Sequence, residues 1–123
     1  MARIYVNRRT STLALRQRKR HLLSLIQVDP DLIRASFVER YAFCGKAQCH
    51  CHRDEKKHGP FYYLTQCLAV GKMKKFLLKS AQEQNTAKAS IEKYRLLQEQ
   101  LEELSQINTE LLRRGERLED PAP

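Results

Sequence analysis

Three of the four cysteines fall within eight positions, and a histidine follows seven residues after the last of them: Cys44-x4-Cys49-x-Cys51-x6-His58. Thiolate and imidazole groups at this spacing are ligands for a borderline-soft cation. Four N/S donors with no vacancy for water describe a structural Zn²⁺ site, not a catalytic one. Gly45 lets the backbone turn, and Gly59-Pro60 ends the loop. The competing reading is a loop of unligated cysteines or of disulfides. In extended chain the Cα atoms of Cys49 and Cys51 lie about 7 Å apart with parallel Cβ vectors, too awkward for a mutual bridge. The expected ligands are therefore Cys44, Cys49, Cys51 and His58, with Zn²⁺ as the cofactor. His50, His52 and Cys67 compete with His58. His50 and His52 alternate with the cysteines and would point away along an extended chain, while Cys67 lies in an apolar run as a small core residue.

The elements that must position this loop can be read on either side of it. Residues 1–9 read as extended or disordered, and Ser11 is a helix N-cap for a helix over 12–27. Leu15, Leu22 and Ile26 share one face of that helix, with Arg16 and Arg20 on another. Asp29-Pro30-Asp31 breaks it. Alternation over 36–43 predicts a strand feeding the loop; 61–70 and 73–78 predict a second and third strand around a turn at Val70-Gly71-Lys72. Of Phe61, Tyr62 and Tyr63, at least two are expected in the core, although together they would also suit a stacking platform for bases. Lys74 should share a strand face with Phe76, not with Lys75.

Ser80-Ala81-Gln82-Glu83 fits a capping box, and helical residues run from there to Arg114 with Gly115 as the stop. Such a helix is about 50 Å long, with a weak point at Asn85-Thr86. A heptad fits, with Ala87, Tyr94, Leu101 and Asn108 at a and Ser90, Leu97, Leu104 and Leu111 at d. Tyr94, Leu97, Leu101, Leu104, Asn108 and Leu111 are thus the expected interface with a second copy or with a helical partner protein. Ile91, Ile107 and Leu112 widen the stripe enough for two neighbours, one of them the 12–27 helix. The predicted class is α+β: an N-terminal helix, a small three-stranded antiparallel sheet with a zinc loop, and a long C-terminal helix. The expected divisions are a basic arm and helix (1–35), a zinc-loop β domain (36–79), a long helix (80–115) and a disordered tail (116–123).

The formal charge of +9 over 123 residues is unevenly placed. Residues 1–28 hold seven Lys and Arg and no acid, whereas 80–123 hold nine acids and six bases. With no acid nearby in sequence, Arg16, Arg18, Lys19 and Arg20 are candidate phosphate ligands, joined by Lys72, Lys74 and Lys75 of the hairpin. No apolar run approaches the roughly 18–20 residues that span a bilayer. Arg8, Arg9 and Arg16 interrupt any secretory h-region, so a cytoplasmic chain with reduced cysteines is expected, which favours metal over disulfide. The acid-free start with Thr10, Ser11 and Thr12 also has the composition of an organellar presequence.

The stretch Cys44-Gly45-Lys46, Cys49, Cys51, His58-Gly59-Pro60 and Phe61 to Leu64 resembles the signature of an uncharacterised bacterial family of small zinc-loop proteins: C-G-K-x-x-C-x-C, then H-G-P-aromatic-aromatic-Tyr-Leu. The segment from Lys93 to Leu112 also resembles that family, so the likeness spans roughly Ser36 to Arg113. It implies a hairpin followed by a long helix, and an origin near mobile elements.

No nucleophile–base pairing and no phosphate-cradling glycine loop is present, so no enzymatic activity is expected. A reactive thiolate near Lys46 is disfavoured by the metal-like clustering. Two functions remain. One is a zinc-stabilised nucleic-acid-binding accessory protein, DNA favoured over RNA, assisting a transposase or recombinase. The other is a zinc-stabilised adaptor docking a partner through its long helix.

Overall fold

A computed structural model of the protein describes residues 6–120. It contains an N-terminal helix, a three-stranded antiparallel sheet with the cysteine-rich loop on one connection, and a long C-terminal helix. The elements are α1 (Thr12–Leu25), β1 (Ser36–Ala42), α2 (His50–Arg53), β2 (His58–Ala69), β3 (Lys72–Leu77) and α3 (Ala81–Arg113). No helix is long and apolar enough to cross a membrane.

Local chemistry sets the boundaries. The Ser11 hydroxyl accepts from the Ala14 N–H at 3.1 Å and starts α1. That helix ends at Leu25, two residues before the expected stop. The Ser80 hydroxyl accepts from the Glu83 N–H at 3.0 Å. The Glu83 carboxylate reaches back to the Lys79 N–H at 2.9 Å, one residue outside a standard capping box. α3 then continues unbroken through the weak point at Asn85-Thr86. It stops in a Schellman turn: the Glu116 N–H donates to the Leu111 carbonyl and the Gly115 N–H to that of Leu112, with Gly115 at φ +75°.

The chain divides into two compact units. One is Asp31–Tyr94, and the other is the described part of Met1–Pro30 with that of Arg95–Pro123. α3 contributes to both.

In the Asp31–Tyr94 unit the strand order is β1-β2-β3. Phe37 stands opposite Leu64, which stands opposite Phe76, and Gln66 opposite Lys74, so Lys74 and Phe76 share a face as expected. Leu64, Leu78 and Ala87 form the core, with Ile33, Ala35, Phe37, Tyr62 and Ile91 packed on it. Of the aromatic triplet only Tyr62 belongs to this core. Phe61 and Tyr63 alternate with it to the other face, as the two-residue period of a strand dictates once Tyr62 and Leu64 point inward. Cys67, expected in the core, is exposed on that same outer face opposite Met73, its thiol donating to the Ala69 carbonyl at 3.4 Å.

In the other unit Leu15, Leu22, Ile107 and Leu111 are the core, with Val6, Ile26 and Leu104 beside them. The shared face of α1 anticipated at Leu15, Leu22 and Ile26 is the face that packs here. Residues 116–120, expected as part of a disordered tail, are instead held to α1 by ion pairs and carbonyl contacts. Residues 121–123, like residues 1–5 of the 1–9 segment expected to be extended or disordered, lie outside the described residues.

Candidate metal centre

Four donors converge where β1 hands the chain to β2. Cys44 follows β1 by two residues, Cys49 is the N-cap residue of α2, Cys51 lies inside α2, and His58 opens β2. The donor atoms of Cys44, Cys49, Cys51 and His58 all lie within 4.8 Å of one another. Cys44 Sγ is 3.5 Å from Cys51 Sγ, and Cys49 Sγ is 3.1 Å from His58 Nε2. Metal–sulfur bonds of about 2.3 Å in a tetrahedron put sulfurs about 3.8 Å apart, whereas a disulfide needs about 2.05 Å. All four cysteines are free thiols. The donor set and its spacing therefore fit a closed tetrahedral metal site.

The backbone explains how sequence neighbours reach one point. The stretch is not extended after Cys49, as the exclusion of His50 and His52 assumed. Cys49 keeps an extended conformation at φ −69° and ψ 145°, and helix α2 begins at His50. That change of direction turns Cys51 inward, fully buried. Register does the same for His58. Arg40 stands opposite Phe61 but Ala42 opposite His58, so two residues of β2 (Gly59 and Pro60) face only Tyr41. This bulge turns His58 to the face opposite the one an unbroken strand would give it. Gly59 has φ +145°, and a Cβ there would lie 2.7 Å from Tyr41 Cδ1 and 3.0 Å from the Arg40 carbonyl oxygen. Only glycine fits the approach that delivers His58.

The thiols differ in their electrostatics. The Cys49 thiol is lowered to about 6, first by hydrogen bonding from the Cys51 backbone, then by Cys44 and His58. For Cys44 the backbone at Lys46 pulls downward, but hydrogen bonding with Cys49 and Cys51 together with burial leaves the thiol above its ordinary value. His52 stays outside the donor set. Its Nε2 is 2.8 Å from the Cys44 carbonyl and its ring stacks on Phe43 at 5.6 Å, so it braces the loop. His50 meets His58 edge-on at 5.3 Å. The bracing role of His52 is a tertiary hydrogen bond that no spacing rule announces.

The candidate phosphate ligands divide sharply. Arg16 is buried at 7% exposure. It donates to the carbonyls of Arg117 (2.8 Å) and Glu119 (3.2 Å) and pairs with Glu116 (3.5 Å) and Asp120 (3.6 Å). Arg18 makes a bidentate pair with the buried Glu103 at 2.7 and 3.1 Å. Lys19 donates to the Leu118 carbonyl, and Arg20 pairs with Asp120 at 3.1 Å. The premise that no acid neutralises this helix fails, because the acids arrive from about a hundred residues further along the chain. Lys72, Lys74 and Lys75 are exposed and form no ion pair among the described residues. Lys75 lies over the Tyr63 ring at 4.3 Å.

The heptad residues also divide. Leu111 is fully buried in the chain's own core and Leu104 packs against it, because α1 lies on them. Tyr94 and Leu97 are half-buried. Leu101 and Leu112 are exposed, and with Leu104, Asn108 and Leu118 they line a groove of about 430 Å³. The Asn108 Oδ1 is buried there without a hydrogen-bond partner among the described residues.

Neither a curated protein nor a solved structure matches the chain. Residues 12–80, from the start of α1 to just past β3 and more than half of the sequence, match the family described as domain of unknown function (DUF6788), and the chain belongs to that family.

Proposed function

We propose that this chain is a small Zn²⁺-stabilised nucleic-acid-binding accessory protein, acting on DNA, in which the sheet unit and not α1 grips phosphates. The observation that carries the reading is unanswered charge. Residues 31–94 hold twelve Lys and Arg against six Asp and Glu. The hairpin lysines Lys72, Lys74 and Lys75 stand in solvent with no carboxylate among the described residues paired to them, which is the electrostatic footprint a polyanion needs. Zn²⁺ in the Cys44, Cys49, Cys51 and His58 site supplies folding free energy to a unit with a small core. A role beside the transposase or recombinase of a bacterial mobile element rests on the resemblance of the Cys44–Leu64 signature. Purified protein should carry about one zinc per chain; elemental analysis that finds no metal in it, with all thiols titrating freely, contradicts the site. Fluorescence anisotropy with a labelled duplex at two salt concentrations tests the binding: affinity should fall steeply as salt rises.

A second reading has its own support. Asn108 lies in the groove beside the exposed Leu101 and Leu112, as one half of a self-pairing Asn seam would. A homodimer through Leu101, Asn108 and Leu112 would bury these leucines. Sedimentation at micromolar concentration tests this, with Leu112→Asp as the dissociating variant. Leu104 and Leu111 are unsuitable because they belong to the chain's own core.

A further inference from the structure

The sheet has one face packed under the start of α3 and one face that no other element of the Asp31–Tyr94 unit covers. Alternation from the core residues Phe37, Tyr62 and Leu64 puts Val38, Arg40, Phe61, Tyr63, Lys75 and Leu77 on that outer face. The register aligns them in rows across the strands: Val38 opposite Tyr63 opposite Leu77, with Arg40 opposite Phe61 on one side and Thr65 opposite Lys75 on the other. Phe61 and Tyr63 are thus adjacent rings on one strand, about 6.8 Å apart at roughly 3.4 Å per residue, a spacing that lets each take one base.

We infer that this outer face is a stacking platform for single-stranded nucleic acid. The inference rests on the proposed nucleic-acid reading and narrows its ligand from DNA in general to an unpaired strand. Charge complementarity selects the occupant. None of the strand residues on this face is an acid; the one strand carboxylate, Glu39, points to the other side, where it accepts from Tyr41 at 3.0 Å. The two cations flank the rings, Arg40 beside Phe61 and Lys75 over Tyr63, as a sugar–phosphate backbone running past stacked bases requires. Lys75 occupies the Tyr63 ring when no base is present. Its four-carbon stem allows it to swing to a phosphate when a base takes its place. An open sheet presenting aromatic rings flanked by cations can stack splayed bases, which an unpaired strand offers without the cost of unstacking a duplex.

The experiment compares oligo-dT, oligo-rU and a duplex of equal length, all at one salt concentration, against wild type, Phe61→Leu/Tyr63→Leu and Lys72→Ala/Lys74→Ala. Leucine keeps apolar bulk on a solvent-facing site, and circular dichroism and metal content check that each variant is folded. The wild type should bind the single strands more tightly than the duplex, and the ring variant should lose about tenfold or more on single strands. Since the chain contains no Trp, Tyr63→Trp gives one emission signal that oligo-dT should quench. Unchanged single-strand affinity in the ring variant, with loss in the lysine variant, overturns the platform and leaves phosphate gripping standing. Wild type that binds none of the three at low salt overturns both. A nucleic-acid-free dimer that the ring variant breaks would make the face a protein interface and overturn the platform as well. The dT and rU arms decide which strand is preferred.

Discussion

The two basic regions of this protein, α1 and the β2–β3 hairpin, look alike as sequence and differ as structure. On α1, every member of Arg16, Arg18, Lys19 and Arg20 is engaged by a carboxylate or a backbone carbonyl of the C-terminal third. On the hairpin, Lys72, Lys74 and Lys75 meet no carboxylate among the described residues. A cluster of cations with acids supplied from elsewhere in the fold is a clasp; a cluster without them is a surface available to a polyanion. Counting charges along the chain cannot separate the two, since the deciding acids, Glu103, Glu116 and Asp120, are about a hundred residues away.

The comparison requires the sheet unit to be held by metal and the helical unit by packing and ion pairs, and this gives its largest test. Cys51→Ala removes a fully buried ligand. It should abolish stoichiometric metal and unfold the sheet, because a structural zinc contributes on the order of 10 kcal/mol to a small module. Elemental analysis with circular dichroism reads this. Full metal content with an intact fold after the substitution would break the assignment. His52→Ala should keep the metal and cost little by the same measurements, since its contact is to the Cys44 carbonyl and not to the donor set.

Next in size is the clasp itself. Arg18→Ala leaves the Glu103 carboxylate, 3% exposed, without its bidentate partner. Removing one partner of a buried ion pair costs up to about 3–5 kcal/mol, so thermal or urea unfolding should show a clear loss bounded by that figure. Arg20→Ala, at a pair more exposed on both sides, should shift it by about 1 kcal/mol or less. Equal, small effects from both would mean that α1 is a solvated face after all.

The smallest effect is in pH. Arg113 and Arg114 hydrogen-bond Glu110 and lower its carboxyl from 4.5 to about 2. Arg114 also reaches Thr12 and the Asn7 and Arg8 carbonyls, so the same cluster ties down the N-terminal segment. A depressed carboxylate adds stability above its unfolded value near 4.5, and that contribution is lost as pH falls toward 2. Glu110→Gln should lower stability at neutral pH and flatten the acid limb of the stability–pH curve. An acid limb identical to wild type would remove this pair from the clasp.

How much was legible follows from which interactions are local. Ser11, Ser80-Glu83 and Gly115 announce helix ends because caps act within about four residues. The Cys44, Cys49, Cys51 and His58 set was readable because its members share one connection. The fate of Tyr63 and Cys67 was not, because period two says only that alternate residues part company, not which side faces the core. The bulge at Gly59-Pro60 was hidden for a related reason: it depends on the approach of Tyr41 from another strand. Leu111 fits a coiled-coil d position equally well whether a second chain or α1 covers it, and only the fold distinguishes these.

In the proposed function, unanswered charge on the hairpin, not the larger charge count on α1, grips nucleic acid. The most direct measurement is the slope of log K against log salt for duplex binding, compared between Lys72→Ala/Lys74→Ala/Lys75→Ala and Lys19→Ala/Arg20→Ala. Removing one lysine–phosphate interaction flattens the slope by about 0.9. The account predicts a slope flattened by about 2 to 3 in the hairpin variant and unchanged in the α1 variant. A slope flattened by the α1 substitutions and untouched by the hairpin ones would contradict it.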